Sequence, residues 1–196
     1  MKSILLSILI LSLAGCVAPK MDRAQVVALN DATQRAMVRT YKNFTQEQLI
    51  AAADKALLHS EKDYRITHRK DGFSATRQWS LFLVTNAMYN NDAWDVKVDG
   101  SKIRATAWYA GGNMMIGNTF PAKSIDDPYL SPPLYDLFFD RMDYFLGLRS
   151  DWAPCAKVDK TKFLFTAGME NGNDPLCSHV KSQDPTKGGD KGAYGL

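Results

Sequence analysis

Three cysteines and three histidines, Cys16, Cys155, Cys177, His59, His68 and His179, are the side chains of this 196-residue chain best suited to hold a metal or act as a nucleophile. Cys155 with Cys177-Ser178-His179 would supply three zinc ligands. The spacing fits no common zinc pattern, and no fourth ligand is in view. Neither an H-E-x-x-H helix nor a G-x-S-x-G elbow occurs, and no Ser, His and Asp fall into a recognisable triad. Asp126 and Asp127 are neighbours and point apart, and Asp127-Pro128 reads as turn chemistry. Glu170-Asn171-Gly172-Asn173-Asp174 is acidic but lacks the ligand pattern of a calcium loop. Gly111-Gly112 lacks the Lys-Ser/Thr of a phosphate loop and reads as a strand-end turn. His59 suits the negative end of a helix, and His68 suits a half-buried strand position near a carboxylate. Trp79 and Trp108 read as sheet residues. The expectation is a non-enzymatic protein with no cofactor and no bound metal.

One cysteine has a different setting from the others. Lys2 precedes an apolar run over residues 4–13, broken only by Ser7 and Ser12. That run is about half the ~20 residues needed to cross a bilayer and suits the core of a secretory signal. Leu13-Ala14-Gly15-Cys16 follows and resembles the bacterial lipobox. Small residues let a peptidase grip extended backbone, and the thiol forms the thioether to diacylglycerol. The resemblance implies a signal peptide over residues 1–15 and lipidation, palmitate included, at Cys16. Each acyl CH₂ contributes about 0.8 kcal/mol, so two or three chains hold a protein on a membrane. Val17, where Asp retains such proteins at the inner membrane, implies an outer-membrane, periplasm-facing location.

With Cys16 assigned to lipid, Cys155 and Cys177 remain. In an oxidising periplasm such a pair is most simply a disulfide, worth about 3 kcal/mol for a loop of this size. The 24 Lys and Arg nearly balance the 21 Asp and Glu, so no basic patch points to nucleic acid.

The elements that would carry these residues are legible in part. Residues 16–34 read as a lipidated tether and 35–182 as one domain, with a glycine-bearing disordered tail over 183–196. Residues 36–41 read as a strand. Thr45 and Gln48 form a capping box, Phe44 and Leu49 a hydrophobic staple, and Leu49, Ile50, Ala53, Ala56 and Leu57 an apolar face, predicting a helix over 46–59. Residues 63–69 alternate, with Tyr64, Ile66 and His68 on one side, and Asp71-Gly72 marks a hairpin turn. A strand over 73–84 is expected to break at Asn90-Asn91-Asp92. Trp94, Val96 and Val98 then alternate towards a second turn at Asp99-Gly100, with a returning strand over 102–109. Residues 111–130 read as a long loop. Ser131-Pro132 opens a helix with a stripe at Leu134, Leu137, Phe138, Met142 and Phe145, ended by Gly147. The fold expected is α+β: an antiparallel sheet of four to five strands, two helices on one face, and a disulfide-closed C-terminal extension.

Phe44-Thr45, Asp71-Gly72 and Leu134-Tyr135-Asp136-Leu137-Phe138-Phe139, in this order over residues 35–147, are similar to a broad group of small proteobacterial envelope lipoproteins. The resemblance implies a helix-on-sheet domain and brings no catalytic residues. The loop adds Met114, Met115, Ile116, Phe120 and Tyr129, an apolar set of the adaptable kind found on partner-binding surfaces. The function expected is a binding or scaffold component of an envelope assembly, such as a secretion or conjugation apparatus, held at the membrane through Cys16 and contacting other envelope proteins. A cell-wall hydrolase and a carrier of a small hydrophobic ligand are the rival readings.

Overall fold

The computed structural model describes residues 22–61, 63–83, 86–115, 118–119, 128–155 and 176–177. Among them are three helices, α1 (Arg23–Ala36), α2 (Gln46–Ser60) and α3 (Pro132–Phe145). The strands are β1 (Val38–Thr40), β2 (Arg65–Arg69), β3 (Gly72–Leu83), β4 (Asn86–Asp99) and β5 (Lys102–Met115), with a two-residue β6 (Asn118–Thr119). The sheet runs β1-β5-β4-β3-β2, antiparallel throughout, and β6 pairs with the end of β5. The α+β class holds.

α2 starts where its cap predicts. Gln48 N–H donates to Thr45 Oγ1 at 3.3 Å and Thr45 N–H donates to Gln48 Oε1 at 2.8 Å, so two otherwise unpaired amides are satisfied together. The same device opens α1: Gln25 N–H donates to Asp22 Oδ1 at 2.8 Å and Asp22 N–H to Gln25 Oε1 at 2.9 Å. From Arg23 onward the segment expected as a tether is this helix. Only Thr33 of α1 is buried, so the helix has no apolar stripe to betray it. It lies against α3 and β1, and Arg104 Nη2 donates to Gln34 Oε1 at 2.6 Å.

α3 ends at a Schellman turn. Leu148 N–H donates to Asp143 O at 2.8 Å and Gly147 N–H to Tyr144 O at 3.2 Å, with Gly147 at φ +73°. Glycine takes this left-handed conformation without the Cβ penalty.

The strands run longer than expected. β4 passes straight through Asn90-Asn91-Asp92, with Asp92 opposite Arg77 on one side and Tyr109 on the other. Ladder bonds from both neighbours outweigh the weak strand propensity of Asn and Asp. β3 and β4 therefore pair as a third hairpin. β5 likewise runs through Gly111 and Gly112, which face Asn90 and Tyr89. The long loop expected from residue 111 is thus corrected over Gly111 to Met115, which are strand.

The core lies between the sheet and α2 and α3. Phe73 and Ala75 of β3, Trp94, Val96 and Val98 of β4, and Ile103, Ala105 and Ala107 of β5 are buried at period two. Leu49, Ala53, Ala56 and Leu57 of α2 and Leu134, Tyr135, Phe138 and Met142 of α3 cover them. Trp94 stacks on Phe138 with ring centroids 5.1 Å apart and meets Tyr135 edge-on at 6.1 Å. No helix among the described residues is long and apolar enough to cross a membrane.

Candidate functional site

Cys155 and Cys177 form the expected disulfide, with Cα atoms 5.8 Å apart. What holds it to the domain is Arg141, fully buried on α3. Its Nε donates to Ala153 O at 3.1 Å, and its Nη1 donates to Ser60 Oγ at 2.7 Å and to Leu176 O at 2.9 Å. Its Nη2 lies 3.1 Å from Cys155 Sγ and 3.8 Å from Cys177 Sγ. The guanidinium carbon also sits 4.7 Å from the Trp152 ring centroid, a cation–π contact that offsets part of the cost of burying the charge. One side chain thereby joins the end of α2, the middle of α3 and both arms of the disulfide. Sequence reasoning passed over Arg141, although it stands seven residues after Leu134 and so shares the inward stripe.

A second buried polar group sits where α2 ends. Arg77 of β3 donates from Nε to Asp92 Oδ2 of β4 at 2.9 Å and pairs through Nη2 with the same oxygen. Its Nη1 lies 3.0 Å from Glu61 Oε2. The Tyr64 ring lies beneath the guanidinium at 5.2 Å, and Trp94 Nε1 donates to Tyr64 Oη at 3.0 Å. Glu61, Arg77 and Asp92 are each no more than 2% exposed. Burial by itself would lower the Arg77 pKa, but Tyr64, Asp92 and Glu61 around it reverse that and raise it. Burial, then Asp92, holds the Tyr64 phenol well above its usual range. The arrangement is a sealed ion cluster that locks the β3–β4 register. Its signal was present in the sequence, since Arg77 is in phase with Phe73 and Ala75, and Asp92 with Trp94 and Val96.

On the other side of α3, Asp143 receives two β1-side donors, Tyr41 Oη at 2.6 Å and Arg39 Nη1 at 2.8 Å. Arg149 Nη1 pairs with Asp140 at 2.8 Å. Burial and then Asp143 raise the Tyr41 phenol. Burial also raises the Asp136 carboxyl above its usual range.

Of the apolar set read as a partner surface, Met114, Met115 and Tyr129 fall among the described residues. Met114 and Met115 belong to β5, opposite Ala87 and Asn86 of β4 and Thr119 and Asn118 of β6. Tyr129 is buried: its N–H donates to Ala107 O at 2.8 Å and its carbonyl accepts from Tyr135 Oη at 3.1 Å. Main-chain pairing beside β5 pulls it into the core. Ile116 and Phe120 lie outside the described residues, as do Cys16, His179, Asp126, Asp127 and the 170–174 segment. Trp108 is half-buried, out of phase with the core, and bridges to Pro128.

His59 lies with its ring 5.1 Å from that of Phe145. His68 is placed 3.1 Å from Asp54 Oδ2 and edge-on to Phe73. Among the described residues no group of three or more His, Cys, Asp or Glu is disposed to hold a metal.

The chain matches no known family model, no characterised protein and no solved structure.

Proposed function

We propose that this chain is a lipid-anchored, periplasm-facing protein of the outer membrane that acts as a binding or scaffold component of an envelope assembly. The observation that carries the reading is the use of the cysteines. Cys155 and Cys177 are joined to each other, which leaves Cys16, at the end of Leu13-Ala14-Gly15-Cys16, as the third. A disulfide suits an oxidising compartment, and an acylated cysteine beside small residues suits a bilayer anchor. The binding role draws on the sheet. β3, β4 and β5, at 12, 14 and 14 residues, extend roughly 40–45 Å at ~3.3 Å per residue. The 15-residue α2 spans only about 22 Å at ~1.5 Å per residue. The strand halves beyond Arg77, Asp92 and Trp108 carry Met114 and Met115 and form the proposed partner-facing end.

The test is expression of the full chain in a Gram-negative host with radiolabelled palmitate and a C-terminal tag. Label on the chain, its loss in Cys16→Ser, and recovery of crosslinked envelope proteins are expected. An unmodified amino terminus on a chain that washes free in buffer would overturn the anchor. Recovery of the bait alone after crosslinking would overturn the scaffold role.

A further inference from the structure

We infer that the Cys155–Cys177 disulfide is a thiol-exchange site in which Cys155 is the leaving sulfur and Arg141 stabilises its thiolate. This goes beyond the anchoring role and does not depend on it.

Arg141 is placed asymmetrically: its Nη2 is 3.1 Å from Cys155 Sγ and 3.8 Å from Cys177 Sγ. Ser60 Oγ on α2, with Ala153 O and Leu176 O beside the two cysteines, takes up its Nε and Nη1, so Nη2 is the group turned to the sulfurs. A guanidinium stays charged at every accessible pH. A neutral disulfide sulfur is a weak acceptor for it, whereas a thiolate in the same place makes a charge-assisted hydrogen bond. The low dielectric around a fully buried guanidinium strengthens that difference. The reduced form gains more from Arg141 than the oxidised form does, which makes the bond more oxidising and Cys155 the better leaving group.

Among the described residues, the charged and titratable groups on the surrounding elements have these partners: Tyr144 meets the Trp152 ring edge-on and Asp151 pairs with Arg149. Glu61 faces Arg77, Asp140 faces Arg149, and the His59 ring lies against Phe145. Both cysteines are half-buried rather than sealed.

The reductant is a dithiol, protein or small molecule. One of its thiolates attacks Cys177 Sγ and forms a new S–S bond. The Cys177–Cys155 bond breaks, and its electron pair goes to Cys155 Sγ, which faces Arg141 as thiolate. The reductant's second thiolate then attacks the reductant sulfur of this mixed disulfide. Cys177 leaves with its electron pair and takes a proton from solvent. The dithiol is oxidised to a disulfide and the cystine is reduced by the same two electrons.

The experiment uses the full chain carrying Cys16→Ser, so that only two thiols report. The reduced chain is alkylated with iodoacetamide across a pH series, and each cysteine is followed by peptide mass. The oxidised chain is equilibrated with dithiothreitol mixtures and trapped with acid. Cys155 is expected to titrate at least a unit below the ordinary thiol value of about 8.5 and to react ahead of Cys177 near neutral pH. Arg141→Met is expected to remove that advantage and, at a pH above both thiol values, to lower the equilibrium constant for reduction roughly tenfold, as one pKa unit requires. Arg141→Lys, which keeps the charge, retains most of the depression. Cys155 titrating at the ordinary value in the chain with Arg141 intact overturns the inference, as does Cys177 being the more acidic thiol. A folded Arg141→Met chain with an unchanged profile overturns it too. If Arg141→Met does not fold, the Cys155 and Cys177 profiles with Arg141 intact decide the matter.

Discussion

Arg77 and Asp92 stand directly opposite each other on β3 and β4, joined from Nε at 2.9 Å and shut away from water. Glu61 at the end of α2 completes the group. A charge removed from such a cluster leaves its partners buried without compensation, which costs far more than the intact cluster contributes.

Arg77→Met is therefore expected to destabilise the domain by about 3–5 kcal/mol. The triple variant Glu61→Gln, Arg77→Met, Asp92→Asn is expected to recover much of that loss. Urea midpoints of the two variants check this; equal losses in both would show that the charges are not what matters.

Among the described residues, Tyr41, Tyr64 and Tyr135 have phenols raised by burial above all. A folded pKa above the unfolded one favours the protonated phenol in the fold. The stability it contributes is full below about pH 10, the ordinary phenol value, and is lost as pH rises beyond it. Phenolate absorbance during an alkaline titration should show these three ionising together with unfolding, later than an exposed tyrosine would. Tyr41→Phe, which removes the bond to Asp143, should cost about 1 kcal/mol and take one tyrosine out of the late step.

Gly72 and Gly147 both have positive φ, but substitution should affect them differently. A Cβ on Gly72 would lie 1.9 Å from Val96 O, whereas one on Gly147 meets nothing within 4 Å. Gly147→Ala is expected to cost only the left-handed strain of about 1–2 kcal/mol. Gly72→Ala forces backbone apart where β2 turns into β3 and should leave little folded protein. Circular dichroism melts of the two variants compare them directly.

Thr45→Ala removes one half of the capping box on α2 and is expected to cost about 1 kcal/mol. Asp22→Ala does the same to α1, which buries little. Because α1 draws less from tertiary packing, Asp22→Ala should lower hydrogen-exchange protection in α1 alone, while Thr45→Ala lowers the global melting temperature.

The second capping box shows how reading can miss a plain local signal. Asp22 and Gln25 repeat the pattern of Thr45 and Gln48, yet without an apolar stripe behind them the segment reads as polar linker. Arg141, Arg77 and Asp92 show the opposite case. Each sits in phase with an apolar face, and the pattern alone does not say whether such a charge turns outward or is buried with partners. Asn90-Asn91-Asp92 reads as a break because Asn and Asp favour turns, a preference that two neighbouring strands override.

Short-range physics was enough for the N-terminal cap of α2 and the end of α3, for the alternation of β4, and for the turns at Asp71-Gly72 and Asp99-Gly100, but not for His68, which is exposed on β2. In each, the deciding atoms lie within a few residues of one another. The pairing of β3 with β4, the place of β1 beside β5, the burial of Tyr129 and the seat of Arg141 were decided only by the tertiary structure. Arg39 meets Asp143 across 104 residues and Arg141 meets Ser60 across 81. Contacts of that span depend on which faces close over the core, and no local preference specifies them.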